Sequence, residues 1–208
     1  MKRPVGIFQI RGLNVQMNQT NQMKILHRKP RRNQIGGSNM AEFGPALIVF
    51  FLVTLFPLIN FLGFAMGSAT AYMAAKQCAS RASTQATFTD ALAVVQTESA
   101  TFVNSGLGRF AKMVPIGGVG GSGINLTIVA TPYGGGTAVT NATNTKLASA
   151  ATPDTNTYEY KVQASYNIGP FINCSPLPWI GGIPGLGPPA PMTFTATGAA
   201  EFPEGLNQ

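Results

Sequence analysis

The sequence predicts an α+β protein in which a long N-terminal membrane-spanning helix is followed by a small antiparallel β-sheet domain. Three observations lead to this fold class: an apolar run of membrane length, a block of positive charge just before it, and strand-like segments in the C-terminal part. We divide the 208 residues into four parts. These are a basic cytoplasmic leader (1–37), a transmembrane and extended helix (38–105), a Gly-rich linker (106–123) and a small exported β-rich domain (124–208).

The positive charge of the chain is confined to the leader. The net charge is +7, but no acid precedes Glu42, and eight of the fourteen basic residues do: Lys2, Arg3, Arg11, Lys24, Arg28, Lys29, Arg31 and Arg32. Because Lys and Arg are retained on the cytoplasmic side of a membrane, this leader predicts a cytoplasmic N-terminus and an exported C-terminal domain. A nucleic-acid-binding tail is the alternative, but the leader lacks interleaved aromatic residues and any binding module, so we expect no nucleic-acid partner.

Residues 46–66 form an almost continuous apolar run, broken only by Thr54, Pro57, Asn60 and Gly63. As a helix this run is about 30 Å long, which matches the hydrocarbon core of a bilayer. A cleaved secretory signal peptide is the competing interpretation, but its apolar stretch is shorter, about 7 to 15 residues. Pro57 predicts a bend or local unwinding, with Thr54 and Asn60 close enough to satisfy the freed backbone groups.

Small residues recur at every fourth position of the helix, beginning with Gly63, Gly67 and Ala71 and continuing through Ala75 and Ala79. Such a stripe allows helices in lipid to approach closely and to pack by van der Waals contact. The sequence therefore predicts helix-to-helix assembly along this face.

Glu42 lies directly before the apolar run, where an ionised carboxylate is costly unless it is paired. If a peptidase cuts between Gly37 and Ser38, the new α-amine of Ser38 lies one helical turn from Glu42. The same amine is also within reach of Glu42 in a neighbouring subunit. An amine that neutralises the carboxylate would remove much of the cost of packing such helices together.

Gly37, Ser38, Glu42 and Phe43, placed after a basic leader, resemble the processing site of type IV pilin precursors. The match looks closest to the TadE-like proteins of tight-adherence pilus systems and covers about residues 29–80. The resemblance implies cleavage after Gly37 by a prepilin peptidase, which puts glutamate at the fifth mature position, and methylation of the new amine. Its implied partners are the membrane, other pilin-like subunits and the pilus assembly machinery.

The function implied by this resemblance is that of a single-pass membrane subunit acting in pilus assembly or adhesion, also present in the extracellular pilus. The rival hypothesis is an envelope anchor that is never cut and presents a small binding domain.

The exported part is expected to begin with a continuation of the helix to about Asn104, whose apolar face covers a sheet. That face carries Phe88, Leu92, Val95 and Phe102. Strands are predicted at 124–131, 158–168 and 192–199. Trp179, in a Pro- and Gly-rich loop, is either part of a partner surface or a plug in the core.

No residue pattern in the chain indicates an enzyme. The acids are scattered, no serine has a nucleophile-elbow setting, and the glycine-rich segment 117–123 lacks the ending of a phosphate-binding loop. His27 is the only histidine, so we expect no metal site and no cofactor. Cys78 and Cys174 both fall on the exported side, where a disulfide between them and two unpaired thiols are equally open.

Overall fold

The computed structural model describes residues 35–179 and 181–208, with side chains from Phe43 onward. The expected cytoplasmic leader therefore lies almost entirely outside the described residues. The chain divides into two units, residues 1–50 and 51–208. In the first unit a single helix is described, α1 (Ile35–Phe50), which contains Pro45.

The helices of the second unit precede most of its sheet. A π-helical turn (Phe51–Leu55) is followed by α2 (Phe56–Ser83), α3 (Phe88–Asn104) and the short α4 (Gly106–Phe110). Pro57 lies in the first turn of α2 and has no N–H to donate to the carbonyl of Val53. The π-helical turn directly before it is the local unwinding that this proline predicts.

The continuous helix expected to reach about Asn104 is interrupted after Ser83, so that expectation is wrong. The side chain of Thr87 accepts a hydrogen bond from the backbone N–H of Asp90 at 3.1 Å, which caps the start of α3. Helix α3 packs against α2. Arg81 of α2 and Glu98 of α3 form an ion pair, with 3.4 Å between Nε and Oε1.

Five strands form one antiparallel sheet: β1 (Val114–Pro115), β2 (Ile124–Pro132), β3 (Val139–Thr140), β4 (Asn156–Ile168) and β5 (Ala190–Ala199). The central strand is β4, which pairs with β5 over ten residue pairs and with both β2 and β1. The three predicted strands are confirmed to within two residues at each end. The two-residue strands β1 and β3 were not predicted.

One face of the sheet is covered by α2 and α3, and the core lies between these layers. Every second residue of β4 from Tyr158 to Ile168 is buried, as period-2 alternation requires. The ring of Phe88 stacks on Tyr160 with 6.2 Å between centroids. Val95 is fully buried, and Leu92 and Phe102 pack at the edge of the core. The predicted apolar face of α3 is thus confirmed.

Residues 106–123 form ordered structure rather than a flexible linker. They contain α4, β1 and a 3-10 turn (Val119–Gly121). The glycines satisfy geometric needs: Gly118 and Gly123 have φ of 76°, and a Cβ on Gly118 would lie 2.4 Å from the backbone nitrogen of Ile124. The segment therefore connects the helices to the sheet through a fixed set of tight turns.

The predicted α+β class is confirmed by one long apolar helix and a small antiparallel sheet. Among the residues that the structure describes, one helical stretch is long and apolar enough to cross a membrane, Phe43–Ser83.

Candidate functional site

The residues of the predicted processing motif lie in the first unit. The backbone of Gly37, Ser38 and Glu42 belongs to α1, but the side chains of Ser38 and Glu42 are not among those described. The predicted charge pairing of Glu42 therefore involves side chains outside the described residues. Phe43 is described and is 66% exposed.

Large apolar side chains are exposed in both units. In α1 these are Phe43, Ile48, Val49 and Phe50, and at the start of the second unit they are Val53, Leu58, Phe61 and Leu62. Exposed apolar surface of this extent on a helix indicates contact with lipid or with another protein.

The stripe of small residues packs against the sheet domain of the same chain. A Cβ on Gly67 would lie 2.7 Å from Cγ2 of Ile168 and 2.8 Å from Cβ of Ala111. Further along α2, Ala71 and Ala75 are fully buried. The close approach that small residues allow is present, but between α2 and the sheet domain of the same chain. Gly67 and Ala71 are therefore not available for packing against a helix of another subunit.

Gly63 differs from its neighbours in the stripe. The atoms nearest to a Cβ built there are Cβ of Phe171 at 3.7 Å and a ring carbon of Phe110 at 3.8 Å, which are ordinary van der Waals distances. It faces the loop that connects β4 to β5 rather than the sheet itself.

Asn60 is a fully buried polar residue in the apolar helix, and its amide group holds the β4–β5 loop. Nδ2 donates to the carbonyl of Ile172 at 2.7 Å, and Oδ1 accepts from the N–H of the same residue, also at 2.7 Å. The amide also lies 3.5 Å from the carbonyl of Leu186 and 3.6 Å from Sγ of Cys174. Asn60 therefore holds the loop through hydrogen bonds. The expectation that it satisfies backbone groups freed by Pro57 is wrong.

The loop, residues 169–189, is also fixed at its base. Nζ of Lys112 donates to the carbonyl of Pro170 at 2.8 Å, and the rings of Phe110 and Phe171 lie 5.0 Å apart. Within the loop, the N–H of Cys174 donates to the carbonyl of Leu186 at 3.0 Å. We call this segment the 169–189 loop.

Trp179, in this loop, is 89% exposed. The interpretation of Trp179 as a plug in the core is therefore wrong, and its place on a partner surface stays a prediction.

The two cysteines are both buried and both free. Cys174 lies against Asn60, whereas Cys78 is eighteen residues further along α2, about 27 Å of helix. Cysteines so far apart cannot be bridged without a large movement of the backbone. The disulfide that the sequence left open is thus absent from this structure.

An apolar groove and a polar groove are among those that flank α2. An apolar groove of about 550 Å³ lies between the start of the second unit and the 169–189 loop. A polar groove of about 630 Å³ is lined by Lys76, serines of α2 and threonines of β5. Within the described part of the chain, no group of three or more His, Cys, Asp or Glu residues is placed to hold a metal ion.

A buried hydrogen-bonded chain joins α3 to the sheet. Oγ of Ser99 lies 2.6 Å from the carbonyl of Ser122 and 2.7 Å from the hydroxyl of Tyr166. Because a carbonyl only accepts, Ser99 donates to Ser122 and accepts from Tyr166. Burial raises the pKa of Tyr166 to about 12. A phenol that keeps its proton in this way supports packing and does not act as a base.

Comparisons of the chain with protein-family models, with curated proteins and with solved structures found no match.

The feature that sequence reasoning missed is the attachment of the 169–189 loop to the apolar helix. The available signal was Asn60, a residue with two donors and an acceptor in an otherwise apolar run. Such a side chain demands hydrogen-bond partners, but nothing local to the sequence identifies partners more than a hundred residues away.

Proposed function

We propose that this chain is a membrane-inserted, pilin-like subunit of the TadE type, cut between Gly37 and Ser38 by a prepilin peptidase and active in pilus assembly or adhesion. The observation that carries the proposal is the placement of Gly37 and Glu42, five residues apart, between a basic leader and an apolar helix of membrane length.

The apolar surface supports membrane insertion. The side chains of Phe43, Ile48 and Val49 in α1 are more than half exposed, which is unfavourable in water and favourable in lipid or in a bundle of helices. The basic leader favours a cytoplasmic N-terminus, with the sheet domain on the outer side of the cell membrane and in the pilus after assembly.

Glu42 gives the proposal its mechanism. Cleavage at Ser38 creates a cation beside the only acid near the apolar helix. When helices from several subunits pack in a low-dielectric bundle, each carboxylate requires such a cation, either its own or a neighbour's. The partners are therefore the membrane, the peptidase, other pilin-like subunits and the assembly machinery. We propose neither catalysis nor a cofactor nor nucleic-acid binding.

The substitution Glu42→Gln tests the pairing. We expect the variant to insert into the membrane as the parent does but to lose subunit-to-subunit crosslinks, because a neutral amide offers the amine no charge partner. The measurement is chemical crosslinking of intact cells that also express the peptidase and the assembly machinery. Glu201→Gln is the matched control, since Glu201 is an exposed acid at the end of the sheet domain. Crosslinks of Glu42→Gln equal to those of the control would contradict the pairing.

The rival function, an uncut single-pass anchor that presents a binding domain, shares the helix and the orientation but not the cleavage. It predicts that the basic leader stays attached whether or not the peptidase is present. The length of the recovered chain therefore separates the two functions.

A further inference from the structure

The 169–189 loop and the apolar helix form the two walls of an apolar groove. Its wall on the helix side includes Val53, Pro57 and Phe61, and its wall on the loop side includes Ile183 and Leu186. Phe61 is 67% exposed, and Ile183 is 46% exposed. The groove is therefore an open apolar surface shared by the helix and the loop.

The chain around this groove carries no charge. From residue 162 to residue 200 there is no Lys, Arg, His, Asp or Glu. Trp179, the only tryptophan of the chain, is 89% exposed in the middle of this stretch, and Phe171 is 44% exposed. The loop itself therefore offers no charge to a protein partner, and the nearby ammonium of Lys112 is bonded to the carbonyl of Pro170 at its base. Trp prefers the boundary between water and hydrocarbon because its ring is apolar and its N–H is polar.

The backbone of the loop is also compatible with a lipid boundary. A loop at such a boundary must have few unpaired N–H groups, because lipid provides no acceptors for them. Six of its residues are prolines, which have no N–H. Other donors are used inside the loop: Leu177, Gly181 and Gly185 donate to carbonyls of the loop at 2.8–2.9 Å. Asn60 accepts the N–H of Ile172.

We propose that the 169–189 loop docks into the membrane interface on the side of the sheet domain, with Trp179 among the lipid headgroups and acyl chains in the apolar groove. The occupant is lipid because Val53, Leu58 and Phe61 belong to the helix that is apolar enough to cross the membrane. Lipid that covers these side chains also meets the loop wall of the groove. The inference rests on the membrane insertion in the proposed function and is independent of cleavage and of pilus assembly.

The intrinsic fluorescence of Trp179 tests this placement without any label. The full chain is reconstituted in phosphatidylcholine vesicles whose acyl chains carry bromine, a quencher, at shallow or deep positions. We expect Trp179 to lose most of its emission in shallow-brominated lipid and to be poorly quenched by acrylamide in the water. Strong acrylamide quenching together with unchanged emission in brominated lipid would overturn the proposal.

Two relocated tryptophans complete the experiment, both in a Trp179→Phe background. Leu62→Trp reports on the helix outside the groove, where Leu62 is 58% exposed, and should be quenched by brominated lipid. Tyr133 directly follows β2 and is 64% exposed, so Tyr133→Trp should be quenched only by acrylamide. If Leu62→Trp is not quenched by lipid, membrane insertion itself fails, and both proposals are overturned. If it is quenched and Trp179 is shielded from lipid and acrylamide alike, a second copy covers the loop, and only the lipid placement is overturned.

Discussion

Asn60 shows how one polar side chain determines where a distant segment lies. Its carboxamide presents a donor and an acceptor side by side, and the backbone of Ile172 presents the complementary pair, with both distances at 2.7 Å. An isolated buried amide in an apolar helix is unfavourable, so the loop that satisfies it is held in one position.

The substitution Asn60→Ala should release the loop. It removes both hydrogen-bond partners of Ile172, whose backbone groups are partly buried, and leaving such a group unpaired costs at most about 1–3 kcal/mol. We expect faster hydrogen exchange of the Ile172 amide and its neighbours, measured by mass spectrometry on the protein in detergent micelles. Exchange in the sheet should change little.

Asn104→Ala provides the control for this prediction. Asn104 is an exposed asparagine whose side chain donates to the carbonyl of Ala100 in its own helix. Its loss should leave exchange in the loop unchanged. Equal protection of Ile172 in the parent and in Asn60→Ala would contradict the role assigned to Asn60.

At the scale of elements, α2 is a helix whose small residues serve its own sheet. The periodicity of Gly63, Gly67 and Ala71 predicts a close approach, and the structure contains one, with Ile168 and Ala111 against Gly67. The spacing of small residues cannot reveal which surface approaches, because a neighbouring helix and a sheet face need the same absence of side chains.

Gly67→Ala should destabilise the domain, whereas Gly63→Ala should not. The added methyl at Gly67 would overlap Ile168 and Ala111, and overpacking of this kind costs about 1–3 kcal/mol. At Gly63 the added methyl meets only ordinary contacts, and alanine is the better helix former. Chemical denaturation followed by circular dichroism measures both variants. Equal stability of the two would contradict the packing of α2 against its own sheet.

Strands were predictable from the sequence because their pattern is local. Tyr158, Tyr160 and Val162 alternate with polar residues, and this alternation alone identifies a strand with one buried face. The two-residue strands could not be predicted, since pairing with β2 or β4 defines them. The start of α3 was predictable in principle: Thr87, three residues before Asp90, has the spacing of an N-cap.

At the scale of the whole molecule, the core depends on buried phenols that must stay protonated. Burial raises the pKa of both Tyr160 and Tyr166 from 10.0 to about 12. The folded state therefore holds these protons more tightly than the unfolded state does.

The free energy of unfolding should be unaffected by these groups below about pH 10 and should fall between about pH 10 and pH 12, where the unfolded state loses the protons first. Each phenol contributes on the order of 2 kcal/mol to this fall. Denaturation curves across this range measure it, and Tyr166→Phe should reduce the dependence by the contribution of one phenol. Tyr133→Phe, which changes an exposed phenol, should leave it intact. Stability that does not fall in this range would contradict the burial of the phenols.

The proposed function depends on the leader and on its removal, and the residues involved are identified from the sequence. Gly37, Ser38 and Glu42 were identifiable because charge, spacing and an apolar run coincide within a short segment. The attachment of the loop to Asn60 was not identifiable from the sequence, because its contact with the helix arises only on folding.

The most direct test is the N-terminal sequence of the protein extracted from membranes of cells that contain a prepilin peptidase, compared with cells that lack it. The proposed function predicts a chain that begins at Ser38 in the first case and at Met1 in the second. A chain that begins at Met1 in both would contradict processing and leave the uncut anchor as the better description.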